Sequence, residues 1–223
     1  MTNPSLLQPT ERTKLDGAKD DLFYAAPRFV NHVDDSFIDR LEILYRERLG
    51  ASFRILDLMS SWVSHLPSDI QYEQIIGHGL NAEELAKNPR LDRYFVQNLN
   101  EDPRLPLEDE QFDAVLNTVS VQYLQYPETV FAEIARILKP RGVAIISFSN
   151  RMFYQKAIAA WRDTSEWGRV QLVKRYFQSV PAFGQTEAIQ EAGWQVPAIL
   201  QMLGMAGGDP FYAVIAYKSN PLI

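Results

Sequence analysis

Gly77-His78-Gly79-Leu80-Asn81-Ala82 satisfies G-x-G-x-x-A after a short apolar run and before a helical stretch. That pattern sets a dinucleotide pyrophosphate on a helix N-terminus. A companion requirement fails, because the next apolar run ends in Asn98 and Asn100 rather than a ribose-binding acid. The two glycines are read instead as a tight turn. His32, His65 and His78 are the only histidines, and their spacing is not that of a metal cluster. Each reads as a hydrogen-bonding loop residue, with His65 the one placed to act as a general base. Cysteine is absent, which removes disulfides, thiolate nucleophiles and zinc–cysteine sites together. G-x-S-x-G and G-x-x-x-x-G-K-S/T are both missing, so serine-elbow hydrolysis and P-loop chemistry have no basis.

Something must position the residues that remain. The chain has 223 residues, 46% of them apolar, enough for one domain with a sizeable core. A chain of this size buries roughly 70% of its unfolded surface. The net charge of −6, without clustered Lys or Arg, argues against a nucleic-acid partner. No apolar stretch approaches the ~20 residues of a membrane span, and the N-terminus is polar. The expectation is a soluble, cytoplasmic enzyme or ligand binder.

Residues 1–21 read as a loose lead-in, followed by the apolar-aromatic patch Phe23, Tyr24, Pro27, Phe29 and Val30. Ser36 with Asp39 resembles a capping box for a helix that carries Phe37, Leu41 and Leu44 on one face. From about residue 52 the pattern alternates. Strands are expected at 54–58, 73–76, 94–97, 112–116 and 143–148. A short helix over 82–87 follows the N-cap Asn81, and another starts at Pro127. Such alternation implies a mostly parallel sheet with helices on both faces. Helical stretches near 154–179 and 186–192 come next, and strands at 198–203 and 211–217 close the chain as an antiparallel pair. In such a sheet ligands bind beyond the carboxyl ends of the strands, here 59–67, 77–81, 98–102, 117–123 and 149–153.

Taken in order, RILDL, IIGHGLNAEEL and FDAVL followed by ARILKPRG and VAIISFSNRMF resemble the class I S-adenosylmethionine-dependent methyltransferases over about residues 52–150. The resemblance implies a Rossmann-like, doubly wound, seven-stranded mostly parallel sheet with a C-terminal antiparallel hairpin. It divides one domain into an N-terminal lid and helix (1–50), a cofactor-binding core (52–150), a helical substrate-side segment (151–193) and a terminal strand pair (194–223). The family's first loop is glycine-rich. Here Met59, Ser61 and Val63 stand where glycine is expected, so this is a divergent, serine-rich branch. The family's ribose-binding carboxylate is replaced by Gly79, and its adenine-side aspartate by Asn98.

The implied cofactor is S-adenosylmethionine, and the implied acceptor a small molecule. Asp57, Met59, Ser60 and Ser61 are expected at the methionine end, Gly79 and Asn81 at the ribose, and Asn98 and Leu99 at the adenine. Thr118 and Gln122 are expected to face the sulfonium and its methyl. Tyr24, Arg28, His32 and Tyr123 are the candidate substrate contacts, no residue is assigned as catalytic, and no metal is implied. Two other readings remain at this point. One is a methyltransferase fold without catalysis, acting as a binding or assembly partner, with Met59 or Trp62 filling the cofactor space. The other is a nicotinamide-dependent oxidoreductase, resting on the G-x-G-x-x-A match alone. Oligomeric state has no signature in the sequence.

Overall fold

Ile55, Ala114, Leu116, Val143, Ile145, Ala213 and Ile215 turn to one side of a sheet, and Leu56, Val115, Ala144, Ile146 and Val214 to the other. This period of two gives the sheet two buried faces, each needing a helical cover. The computed structural model describes residues 6–193 and 207–220. Its strands are β1 (Arg54–Asp57), β2 (Gln74–Gly79), β3 (Arg93–Val96), β4 (Phe112–Thr118), β5 (Leu138–Phe148), β6 (Glu187–Glu191) and β7 (Phe211–Tyr217). They lie in the order β3-β2-β1-β4-β5-β7-β6. The first five run parallel, and β7 is antiparallel to both β5 and β6. The Rossmann-like seven-stranded sheet is therefore present.

The helices are α1 (Asp20–Phe23), α2 (Asp35–Arg48), α3 (Ala82–Lys87), α4 (Pro127–Ile137), α5 (Ala159–Arg162) and α6 (Glu166–Gln178). Phe37, Leu41, Leu44 and Tyr45 of α2 cover one face. Phe131 and Ile134 of α4, with Tyr176 and Phe177 of α6, cover the other. Proline at the first position starts α4, and the Asn81 side chain caps α3 by accepting from Glu84 N at 3.0 Å. No helix among the described residues is long and apolar enough to cross a membrane.

Five local expectations need correction. Helix α2 is capped by Asp34, which accepts from Phe37 N at 2.9 Å, while Ser36 donates its hydroxyl to the same carboxylate. Strand β2 continues through Gly77-His78-Gly79, so these glycines do not form a turn. A Cβ on Gly77 would lie 2.3 Å from Leu91 Cδ1, and one on Gly79 only 2.5 Å from the Ser60 carbonyl. Close packing, not turn geometry, requires them. The stretch read as a helix at 186–192 is strand β6, because pairing with β7 overrides helix-favouring Glu, Ala and Gln. Strand β5 starts at Leu138, so the Pro140–Gly142 segment lies inside it. Nor is the lead-in loose: Leu7 is fully buried, and Arg12 pairs with Glu128 at 2.5 Å. The strand expected at 198–203 lies outside the described residues.

Candidate functional site

Strand order reverses at β1, with β2 on one side and β4 on the other. Loops leaving these strands meet the segment before β1 around a cleft of about 350 Å³, the size of a small-molecule site. On the β1 side, Asp57 is buried and accepts from Ser60 Oγ at 2.6 Å. Burial pushes its carboxyl up to about 6, against the opposing pull of the Ser60 and Ser64 hydroxyls. Met59 takes φ 58°, the left-handed region that favours glycine. Two hydrogen bonds hold the loop there. Met59 N donates to His78 Nδ1 at 3.1 Å, and Ser60 N to the His78 carbonyl at 2.6 Å.

Because Nδ1 accepts, the His78 proton sits on Nε2, which donates to the Gln97 carbonyl at 3.0 Å. The imidazole thus joins the β1 loop, β2 and the chain leaving β3. Desolvation pulls its pKa down to about 4, so the fold favours the neutral ring. That contribution is complete above the ordinary pKa of 6.5 and is lost as pH falls toward 4. Half-buried His65 has the same sign, whereas Asp57, pushed up to about 6, acts in the opposite sense. The His78 share is isolated in His78→Asn, whose amide oxygen still accepts from Met59 N. Between pH 7 and 4.5 this variant is expected to lose about 2 kcal/mol less than the parent in urea unfolding. Parallel losses would remove His78 as the titrating group.

Glu84, on the first turn of α3, is buried and lines the cleft. Its two oxygens accept from Arg28 N and from Ser61 Oγ, each at 2.7 Å. Asn81 donates to the Tyr24 and Ala25 carbonyls at 2.8 and 3.1 Å, and Asn98 to Asp21 at 3.2 Å. Trp62 Nε1 donates to the Val30 carbonyl at 3.1 Å. The amides expected at ribose and adenine therefore also fasten the N-terminal segment over the cleft.

On the far side, Thr118 lies 3.0 Å from Tyr45 Oη and 3.2 Å from Ser147 Oγ. Ser120 Oγ lines the cleft and is buried without a hydrogen-bond partner among the described residues. Tyr123 Oη accepts from Phe153 N at 2.8 Å, and the two rings stack at 6.1 Å. Tyr24 and His32 pack edge-on against Phe153.

All the expected site residues line this cleft except Gln122. A short 3-10 turn, Val121–Tyr123, turns Gln122 into the interior, where its amide donates to the Val119 carbonyl at 2.8 Å. Glu84, Asn100, Ser120, Arg151 and Phe153 line the cleft but were not singled out by the sequence. For Phe153 the signal was its place just after β5. Glu84 gave none, being tied to residues distant in sequence. No cluster able to hold a metal ion occurs among the described residues.

A family model described as a methyltransferase domain matches residues 63–146. Among solved structures, an S-adenosylmethionine-dependent methyltransferase from Thermotoga maritima aligns with TM-score 0.55 and 18% identity, covering 83% of this chain and 90% of that one. Phosphoethanolamine N-methyltransferase 2 of Haemonchus contortus, in complex with S-adenosylmethionine, aligns at 0.53 and 16%, covering 82% and 52%. The (4+2)-cyclase SpnF aligns at 0.55 and 18%, covering 81% and 80%. At these identities the likeness is one of fold. No curated protein matches the sequence. The resemblance to class I methyltransferases holds in the family match and in the sheet, and SpnF carries a name from other chemistry.

Proposed function

We propose that this chain is a cytoplasmic methyltransferase that moves the methyl group of S-adenosylmethionine to a small molecule. The observation that carries this reading is the open cleft, with convergent polar side chains, at the strand-order reversal. The non-catalytic alternative expects that space to be filled. Instead Met59 packs against the core, and Trp62 turns toward Val30 and Phe29. The oxidoreductase reading loses its basis, since its glycines lie within β2.

The cleft also fits the cofactor's polar groups. Ser60 and Ser61 offer hydroxyls to an amino-acid end, and Asn98 and Leu99 border the adenine end. The carboxylate missing from the end of β2 is available one helical turn later, from Glu84. S-adenosylmethionine supplies an already activated methyl, so positioning by the protein can supply much of the rate. Tyr24, Tyr123 and Phe153 exclude water from the acceptor side. His32 carries no side-chain hydrogen bond among the described residues, and burial lowers its pKa. Its imidazole nitrogen can therefore take the acceptor's proton.

Thermal unfolding tests the cofactor. At about 100 times its dissociation constant, S-adenosylmethionine or its demethylated product should add roughly 2.7 kcal/mol, a shift of about 5–10 °C; NADP should add nothing. Ser61→Leu, which removes the Glu84 contact and crowds the methionine end, is expected to abolish the shift. A full shift in that variant, or none in the parent, would refute the reading.

A further inference from the structure

Among the described residues, Arg28 is a cation without a counter-ion. Its guanidinium lies 4.6 Å from the Phe23 ring centre, 5.7 Å from that of Tyr24 and 5.4 Å from that of Phe153. Nη2 donates to the Phe23 carbonyl at 2.8 Å. Nη1 is closed off from solvent and has no hydrogen-bond partner. The nearby carboxylate of Glu84 is spent on the Arg28 backbone N–H and on Ser61, not on the guanidinium. No other carboxylate pairs with Arg28 among the described residues. An unmade bond on a charged donor is unfavourable, and Arg28 lines the cleft, so an anionic group entering the cleft is a fitting partner.

The surroundings narrow what that partner is. The guanidinium shares the Phe153 ring with His32, whose ring centre is 5.3 Å away, and with Tyr123, stacked at 6.1 Å. Tyr123 and Phe153 follow β4 and β5, whereas Asp57 and the serines follow β1. The compartment is thus walled by flat rings and holds one planar cation unpaired among the described residues, its backbone joined to the serine loop only through Glu84. A guanidinium fork matches a carboxylate, and ring walls match a flat body.

We propose that the acceptor is a small aromatic carboxylic acid whose carboxylate pairs with Arg28 and whose ring lies among Tyr24, Tyr123 and Phe153. Naming it the acceptor rests on the methyl-transfer reading; the carboxylate site does not. Calorimetric titration without cofactor supplies the test, using benzoate, 4-hydroxybenzoate and indole-3-acetate against their neutral amides. At least one acid is expected to bind the parent tenfold or more tighter than its amide. Arg28→Met, which keeps the stem over the rings, should erase that preference, and Arg28→Lys should keep part of it. Both variants are checked for parental thermal midpoints, and a variant that fails the check is replaced by Arg28→Gln. No preference for any acid, or a preference that survives Arg28→Met, overturns the proposal.

A second arm separates the two carboxylates available in this chemistry. S-adenosylhomocysteine should bind Arg28→Met as it binds the parent. If it weakens while 5′-methylthioadenosine, which lacks the amino-acid end, does not, Arg28 serves the cofactor and the acceptor assignment is overturned. If S-adenosylhomocysteine fails to bind the parent but an acid binds through Arg28, the methyl-transfer reading falls and the carboxylate site stands.

Discussion

Asp20→Ala is expected to destabilise the protein by about 3–5 kcal/mol in urea unfolding and to open the segment before α2 to proteolysis. Asp20 accepts from Lys14 Nζ at 2.6 Å and from Asn100 Nδ2 at 2.9 Å, and Lys156 Nζ lies 3.6 Å away. The lysine side chains are only 5% and 0% exposed, so neither ammonium has water as a substitute partner. Lys156 keeps Asp16 at 3.0 Å and the Ala18 carbonyl at 2.7 Å. Among the described residues Lys14 keeps no comparable bond. Burial already lowers its pKa, and without Asp20 it either sheds its proton or draws the segment into solvent. The double variant Lys14→Met/Asp20→Ala removes the stranded charge and should recover much of the loss. A single-variant loss below about 1 kcal/mol, or a double variant no better than the single, would show that this pair does not fasten the segment.

How far the sequence carried depended on whether a signal was local. Pro127 and Asn81 mark helix starts through contacts within one turn, and both helices begin where those residues put them. Strands β1 and β4 were legible as short apolar runs in an alternating series. By contrast, Glu187–Glu191 is helix-forming at every position but Ile189, and its register with β7 makes it a strand. The Gly77 and Gly79 requirement was equally hidden, since it comes from Leu91 and from the Ser60 carbonyl rather than from their own turn. The site followed the same division. Asp57, Ser60, Asn98 and Thr118 could be named because the family resemblance implies cofactor contacts at the carboxyl ends of the strands. Gln122 could not be excluded, because a 3-10 turn decides which way it faces. Glu84 and Asp20 act through partners 56 and 80 residues away, and spacing carries no trace of such contacts.

Glu84→Gln is expected to weaken S-adenosylhomocysteine by about 10–100-fold, read by calorimetry. A side chain at the end of β2 is impossible here, because a Cβ on Gly79 would lie 2.5 Å from the Ser60 carbonyl. On the methyl-transfer reading a carboxylate for the ribose comes from elsewhere, and Glu84 enters the cleft from the first turn of α3. It accepts one bond from Arg28 N and one from Ser61 Oγ, which leaves lone pairs on both oxygens for ribose hydroxyls. Glutamine keeps the volume but turns an N–H₂ toward one of these donors. A hydrogen bond to a charged group is worth about 1.5–3 kcal/mol, which sets the expected factor. Adding 5′-methylthioadenosine decides how Glu84 acts, since that probe has the ribose and lacks the amino-acid end. Equal weakening of both probes locates the effect at the ribose. If only S-adenosylhomocysteine weakens, Glu84 works through Ser61 on the methionine end, and the ribose assignment is wrong.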